Sequence, residues 1–377
     1  MRAASLFIGL FLTVGVTIAA IASMVVPRAT RRGLAHLVTT SVFAVMRLPL
    51  RIRLSYRTQD RWLRLAAPIS VLIQLAVFVF LVIMGVSLII YGQYDLTWKQ
   101  SAWQAAATVT TLGTTEAVNW SSAMSAAIGA FLGLVIIAVF MGYLVGLYSA
   151  YVARESLVAR FSQLAGEPAW GPMFLARSQL VSGDPSASLD PDGWTDWMCD
   201  LRIGQQASPV LAHFRSPDPM RHWTVTMLAM LDATSLCLSL DKVPSRGSAI
   251  CCIAEGTVTL GVLNEKKLSE ERKNLAIEES LLDILDGKYQ NTASLLTDND
   301  WQLAVTLLTE TGVATSEQLA EARPKFEAMR SLYINDATQI AQALHSVRAP
   351  WSGPRSIPGS EFVPDMPTRR NRSEENE

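Results

Sequence analysis

The apolar residues of this chain collect in long runs, and the charged residues lie between and after them. Three runs carry no charge: Leu6–Val26, Leu65–Ile90 and Ala123–Val152. A helix needs roughly 20 apolar residues to cross a hydrocarbon core of about 30 Å. Each run meets that requirement, so the sequence predicts three membrane-spanning helices. The third run is long enough to tilt or to continue beyond the lipid.

The linker between the first two runs sets the expected orientation. Residues 28–64 carry nine arginines and a single acid, Asp60. Positive charge is retained on the cytoplasmic side of a membrane. This predicts a multi-pass protein of the cell membrane with its N-terminus outside and its C-terminus in the cytoplasm. A cleaved signal peptide is the alternative for residues 1–27. We expect a retained helix, because cleavage would leave the nine arginines outside.

Within this linker, Leu34–Leu50 is apolar apart from interruptions at His36 and Arg47. Such a segment is typical of a helix that lies along the inner leaflet. We expect the arginines to fix the topology and to attract anionic lipid. They lie outside the spans, so the sequence does not indicate a voltage sensor.

The segment between the second and third runs, Tyr91–Ser122, does not have the composition of an exposed loop. From Gln100 to Thr115 it is uncharged and consists mostly of small residues. Alanines come first, and a threonine-rich stretch then leads to Gly113. This order predicts a short helix that enters the membrane and ends near Val109, followed by an extended return. Non-helical backbone at that depth is tolerated only where protein buries it or where it lines a watery path.

The sequence SAWQAAATVTTLGTTE within this segment resembles the pore loop of potassium channels. That loop has a tryptophan-bearing pore helix followed by Thr-Thr-hydrophobic-Gly-aromatic-Gly-Asp. The residues that stand at the matching places are Trp103, Thr108, Thr110, Thr111 and Gly113. The resemblance covers residues 65–153. It implies a unit of helix, pore loop and helix, and a homotetramer, because one chain cannot encircle an ion.

The resemblance also implies a selectivity filter for K⁺ or another monovalent cation. Carbonyl oxygens of such a filter replace the hydration shell of the ion. The matching residues are Thr111, Leu112, Gly113 and Thr114, with the Thr111 hydroxyl. Three residues depart from the family pattern: Thr114 replaces the aromatic, Thr115 the second glycine, and Glu116 the aspartate. Threonine resists backbone angles that glycine allows. A wider filter that admits several cations and a closed filter therefore both stay open.

Thr115 and Glu116 would form the outer mouth, where four copies of Glu116 make an acidic ring that attracts cations. The alternative interpretation is a re-entrant hairpin that only packs the oligomer. The third run carries Gly129, Gly133, Gly142 and Gly146, a spacing that lets helices approach closely in lipid. The resemblance adds Gly133 and Gly142 as candidate hinges of an inner gate.

The sequence after the third run predicts a helical cytoplasmic domain over residues 154–349. Two apolar stretches, His222–Leu240 and Ala249–Leu263, are short for spans and contain Asp232 and Glu255. We expect both to be buried core helices, with Asp232 either paired or capping a helix. From Pro350 onward, proline, serine, arginine and glutamate dominate, which predicts a disordered tail over residues 350–377.

A search for catalytic and metal-binding patterns in this domain finds no nucleotide-binding, metalloprotease or hydrolase motif. His213, His222 and Cys199 share no ligand spacing, and Cys251 and Cys252 are expected to be inert in an apolar stretch. The segment from Asp190 to Gly193 has part of a calcium-loop pattern, but we expect a turn that caps a helix.

The composition also argues against some classes of function. Only 17% of residues are charged, where soluble domains have about a quarter. The net charge of −1 argues against a nucleic-acid partner. The sequence predicts an all-α membrane protein that is not an enzyme and needs no cofactor or metal beyond the permeant cation. It identifies no gating ligand. The expected function is a cation channel, and the alternative is a non-conducting membrane scaffold or regulatory protein.

Overall fold

The structure is a computed structural model, and it describes residues 2–26, 33–48, 55–113, 120–264, 270–288, 295–354 and 362–365. These ranges contain helices and no strand, which confirms the all-α prediction. The helices are α1 (Arg2–Val25), α2 (Leu34–Met46), α3 (Tyr56–Leu63), α4 (Ala66–Gln93), α5 (Trp98–Val109), α6 (Trp120–Ala165), α7 (Gly171–Ser182), α8 (Pro191–Ala207), α9 (Trp223–Ser239), α10 (Arg246–Leu263), α11 (Glu270–Leu285), α12 (Asp298–Glu310), α13 (Ser316–Ser331) and α14 (Ile334–Ala343).

The chain divides into two compact units. Unit 1 comprises residues 1–54, 61–151 and 206–214, and unit 2 comprises residues 55–60, 152–205 and 215–377. The helix α6 has 46 residues, about 69 Å at 1.5 Å per residue, and contributes to both units. It therefore extends well beyond the roughly 30 Å of a hydrocarbon core, as the length of the third apolar run predicts.

Four helical segments of the described residues are long and apolar enough to cross a membrane: Arg2–Val25, Tyr56–Gln93, Ala123–Ala165 and Arg246–Leu263. The first three contain the three predicted spans, except that the first segment ends one residue before Val26. The fourth is α10, whose apolar window is 56% buried within the protein, compared with 22% for α1. It packs against α9, α11 and α14 of unit 2. We interpret α10 as a core helix, because its apolar surface already has protein partners.

In unit 1, α1 packs along α4 in the opposite direction. Arg2 forms an ion pair with Asp95 at one end, and Val16 and Ala20, farther along α1, share a buried cluster with Phe78 in the middle of α4. The two backbones approach closely at Gly85, where an added Cβ would lie 2.3 Å from the Thr13 hydroxyl oxygen. Small residues give this kind of contact between helices in lipid. The first apolar run is thus a tightly packed part of unit 1.

The predicted interfacial segment forms α2, which ends at Met46 with Arg47 as its C-cap. Its side chains Val38, Val42 and Phe43 are buried, and the helix packs on α4. A short 3₁₀ helix, Pro209–His213, also packs on α4, through Val210 and Leu211.

In unit 2, every residue of α9 is buried, and α7, α10, α13 and α14 pack around it. The N-cap of this helix is His222, whose Nδ1 accepts from the Thr224 N–H at 3.3 Å. This capping role accounts for the buried His222 side chain, so no bound ligand is needed to explain it. The prediction that His222–Leu240 forms a buried core helix is confirmed.

The prediction of a disordered tail from Pro350 onward is wrong for residues 350–354. Trp351 is only 4% exposed, and its indole N–H donates to the Asp300 carbonyl oxygen at 3.0 Å. Further along, the Phe362 N–H donates to the Arg348 carbonyl oxygen. The composition is polar overall, but the one tryptophan supplies enough apolar area to join the core. Residues 355–361 and 366–377 lie outside the described residues.

Candidate functional site

The helix α5 lies in sequence between the membrane-length helices α4 and α6. With 12 residues it is about 18 Å long, roughly half of what a span requires. Its start is held by a capping box: the Gln100 N–H donates to the Thr97 hydroxyl at 3.4 Å, and the Thr97 N–H donates to Gln100 Oε1 at 3.0 Å. The prediction that a short helix ends near Val109 is confirmed.

Threonine side chains near the end of α5 are satisfied without water. The Thr108 hydroxyl donates to the Gln104 carbonyl oxygen and the Thr110 hydroxyl to the Ala106 carbonyl oxygen, both at 2.7 Å. Bonds to the preceding turn let a polar side chain sit in an apolar environment. Thr108 is buried, whereas Thr110 is exposed as the C-cap of the helix.

The end of α5 packs against two glycines of α6. A Cβ at Gly129 would lie 3.0 Å from Cγ2 of Thr108, and one at Gly133 would lie 2.1 Å from the Val109 carbonyl oxygen. The second distance leaves no room for any side chain. The backbone of α6 therefore rests directly on the last turn of α5. This assigns the first glycine pair to close approach and leaves Gly142, with open space around it, free of such a role in the single chain.

The chain turns sharply after α5. Thr111 has φ +57°, its N–H donates to the Thr108 carbonyl oxygen, and the Leu112 N–H reaches back to the Ala107 carbonyl oxygen at 2.9 Å. This is the usual bond pattern of a helix end closed by a left-handed residue, where glycine is normally found. A β-branched threonine at this angle is a true conformational outlier. Such strain persists where the surroundings fix it, and it concentrates at functional sites.

Gly113 follows with φ +98°, an angle that side chains disfavour, and with no atom within 4 Å of an added Cβ. Thr111 and Gly113 are exposed, and Leu112 is 79% exposed. No N–H or O–H group of the described residues donates to the carbonyl oxygens of Thr110, Thr111 or Leu112. Within the part of the chain that the structure describes, the turn thus presents a run of backbone oxygens without partners.

The electrostatics of this end favour cations. The last turn of a helix carries the equivalent of about half a negative charge, and the sequence from Gln100 to Gly113 contains no charged side chain to offset it. Carbonyl oxygens beside a negative helix end can replace water around a permeant cation when several chains contribute them. A single chain supplies only one such set.

The structure brings together five predicted residues, Thr108, Thr110, Thr111, Leu112 and Gly113, at the end of α5. Trp103 lies on another face of that helix and is 72% exposed. Thr114, Thr115 and Glu116 lie outside the described residues. Sequence reasoning did not find that Gly129 packs on Thr108, nor that Thr111 is left-handed. The four-residue spacing of Gly129 and Gly133 was a signal for the close contact with α5. No feature of the sequence indicates that Thr111 is left-handed.

Unit 2 contains a buried polar network that the sequence only partly anticipated. Arg330 is fully buried, and its Nε donates to Asp232 Oδ1 at 3.1 Å. The Tyr333 hydroxyl donates to the same oxygen at 2.9 Å. Arg330 also donates to the Trp351 carbonyl oxygen. Of the two predicted roles of Asp232, the paired core acid is therefore the observed one.

The remaining candidates for chemistry in unit 2 have structural roles. Asp190 Oδ1 accepts from the Gly193 N–H at 3.1 Å, so this segment caps the start of α8 as predicted. Burial raises the pKa of Cys237 and of Cys252 to about 12. Cys251, expected to be equally inert, is exposed. Among the described residues, no group of three His, Cys, Asp or Glu side chains could hold a metal.

Comparison of the chain with models of known protein families, with curated proteins and with solved structures found no match.

Proposed function

We propose that this chain forms a pore-loop cation channel, a homotetramer that lets K⁺ or other monovalent cations pass through the cell membrane. One observation carries the proposal: a short helix ends, between two membrane-length helices, in a strained turn whose carbonyl oxygens accept no hydrogen bond from any described residue. Unpaired backbone at membrane depth is costly unless it lines a watery path. In a pore, permeant cations would bind to those carbonyl oxygens.

The packing of α4, α5 and α6 supports the channel-unit arrangement. The Ser125 hydroxyl at the start of α6 donates to Gln93 Oε1 at the end of α4, at 3.0 Å, so the two helices run in opposite directions. The end of α5 rests on Gly133 of α6, well inside that helix. A half-helix held in this way points its negative end toward the membrane interior. In the tetramer, four such ends would surround one axis.

The orientation follows from the charges. The nine arginines of the linker favour a cytoplasmic linker and C-terminus, with the N-terminus outside. The tight packing of α1 on α4 at Gly85 favours retention of α1 in the assembled protein. In this orientation α5 enters from outside.

The test is cation flux from liposomes that contain the full-length protein, with Gly113→Ala as the decisive variant. Alanine disfavours φ +98°, so the turn must change its path. We expect flux to fall by about tenfold or more, because displaced carbonyl oxygens no longer replace the water around the ion. The matched control is Gly15→Ala, at a helical position where nothing lies within 4 Å of the new Cβ.

Oligomeric mass in nanodiscs is measured on the same samples. We expect four chains of 41.2 kDa for the wild type and for both variants. A wild-type protein that assembles but conducts no monovalent cation would favour the non-conducting scaffold instead. A monomer or dimer would exclude the shared pore.

A further inference from the structure

Unit 1 contains a cavity of about 250 Å³, away from the turn after α5. It lies where the end of α1, the start of α2 and the middle of α4 meet, and residues 207–210 with Tyr143 complete the wall. At about 30 Å³ per molecule it has room for roughly eight waters. It is somewhat smaller than the pockets of at least about 300 Å³ that hold drug-sized ligands. The volume suits one small polar group.

The first turn of α2 lines this cavity. Its N-cap is Gly33, so no side chain caps the helix. The N–H groups of Leu34, Ala35 and His36 have no acceptor among the described residues, and all three residues line the cavity. Free N–H groups at the positive end of a helix favour an anion. None of the described residues that line the cavity is Asp or Glu.

An independent observation at the same place is Gln74 of α4. It is 7% exposed, lines the cavity, and has no hydrogen-bond partner among the described residues. A buried amide without a partner is unfavourable. The hydroxyl of Thr39, in contrast, donates to the Ala35 carbonyl oxygen at 2.9 Å and is satisfied within α2. The Gln74 amide and the N–H groups of the first turn of α2 therefore line the same cavity, where each can donate to an acceptor.

We propose that this cavity binds a phosphate group. The N–H groups of the first turn of α2 and the Gln74 amide donate to its oxygens, and Ala19, Ala22 and Phe78 provide an apolar wall beside it. Both an anionic phospholipid and soluble inorganic phosphate carry this group. None of the described residues of the proposed filter lines the cavity, so the two sites are separate.

The test measures binding to the full-length protein in detergent micelles. One arm counts bound dioleoyl phosphatidic acid by native mass spectrometry, with dioleoylglycerol as the probe that has the same chains without phosphate. The other arm measures radiolabelled inorganic phosphate by equilibrium dialysis. The variants are Gln74→Met, which removes the amide at similar volume, and Ala35→Asp with its neutral control Ala35→Asn.

We expect one saturable site per chain for a phosphate-bearing probe, and dioleoylglycerol to bind at least tenfold more weakly than phosphatidic acid. Gln74→Met should weaken binding about fivefold or more, the effect of one hydrogen bond. Ala35→Asp should weaken it about tenfold or more by repulsion, although an acid in the first turn favours the helix itself. Ala35→Asn should stay within about twofold of the wild type.

The two arms separate the sources. Saturation by phosphatidic acid alone assigns the site to a lipid headgroup, and saturation by inorganic phosphate assigns it to a soluble ligand. The proposal is overturned if neither probe saturates, if dioleoylglycerol binds equally well, or if Gln74→Met and Ala35→Asp bind like the wild type. Should Gln74→Met fail to fold, the Ala35 pair decides. All of these variants keep the nine linker arginines, so general attraction of anions is unchanged.

Discussion

Thr111 adopts a backbone conformation that its own side chain disfavours. A left-handed angle costs a residue with a Cβ about 1–2 kcal/mol, and branching at Cβ adds to the strain. The turn nevertheless keeps this residue at φ +57°, because its N–H and that of Leu112 close the end of α5. If the Thr111 hydroxyl binds a cation, as proposed, the strain accompanies a function that glycine could not perform.

Comparing Thr111→Gly with Thr111→Val separates the effect of backbone strain from the effect of the hydroxyl group. We expect Thr111→Gly to unfold at a higher temperature than Thr111→Val, because glycine reaches φ +57° without strain while valine keeps it. Both variants lack the hydroxyl, so both should conduct less than the wild type. Thermal unfolding in micelles and liposome flux measure the two effects. Equal unfolding temperatures for the two variants would contradict the strained turn.

The buried pair of Asp232 and Arg330 ties α9 to α13. We expect Arg330→Met to lower the free energy of unfolding of unit 2 by about 3–5 kcal/mol, because the Asp232 carboxyl group stays buried without its counter-charge. Arg330→Met combined with Asp232→Asn should recover part of this loss. Hydrogen exchange of α9 amides in the full-length protein measures the change. A double variant no more stable than Arg330→Met would refute this account.

The same carboxyl group also predicts a dependence on pH. Burial raises the pKa of Asp232 above its ordinary value of 3.8, more strongly than Arg330 and Tyr333 lower it. The folded protein therefore holds this proton where the unfolded chain has released it. The stability contributed by the group falls as pH rises from about 4 through the raised pKa. Exchange at α9 measured over that range should show this slope in the wild type and lose it in Asp232→Asn.

At the scale of elements, the contact between α5 and α6 decides where the candidate filter lies. The Gly133 position touches the Val109 carbonyl oxygen, and any side chain there must displace one helix. Farther along the same helix, Gly142 has nothing within 4 Å. The two glycines look alike in the sequence and differ entirely in their surroundings.

We expect Gly133→Ala to destabilise the packing of α5 by about 1–3 kcal/mol, the usual effect of overpacking. Exchange at the amides of Trp98–Val109 should rise and flux should fall. Gly142→Ala is the matched control and should leave exchange in α5 unchanged. If Gly142 is a hinge, Gly142→Ala changes cation flux but leaves hydrogen exchange in α5 unchanged. An unchanged α5 in Gly133→Ala would mean that the close contact is absent.

The elements that could be predicted from sequence are those with a local signal. The three apolar runs and the length of α5 follow from composition and spacing, and the core position of α9 follows from its short length and buried acid. The partner of Asp232 could not be predicted, because Arg330 lies 98 residues farther along the chain. Trp351 was missed for the same reason: its neighbours Ala349, Pro350, Ser352 and Gly353 form no apolar pattern. Its partners are the distant Trp170, Trp301 and Phe326.

At the scale of the whole molecule, topology is the property that the proposed function most requires. Cys251 is exposed on unit 2, and its neighbour Cys252 is fully buried. A membrane-impermeant maleimide should label Cys251 in inside-out vesicles and not in right-side-out vesicles, because we propose that unit 2 is cytoplasmic. Cys237 and Cys252, with pKa values of about 12 caused by burial, should react only after denaturation.

Peptide mass spectrometry identifies the labelled thiol. Labelling of Cys251 from the outer side would reverse the orientation and place the turn after α5 at the cytoplasmic face. Labelling of Cys252 in the folded protein would show that unit 2 is more open than its buried core indicates.

The indole of Trp351 has a consequence for how the protein is made. Arg330 lies beneath that ring, 5.8 Å from its centre, and donates to the carbonyl oxygen of the same residue. Until position 351 has left the ribosome, the guanidinium lacks its cover and one of its acceptors. Synthesis of the membrane helices is complete long before that moment. Chains that terminate before residue 351 would therefore contain every membrane helix and still carry a second unit whose Arg330 lacks this cover and this acceptor.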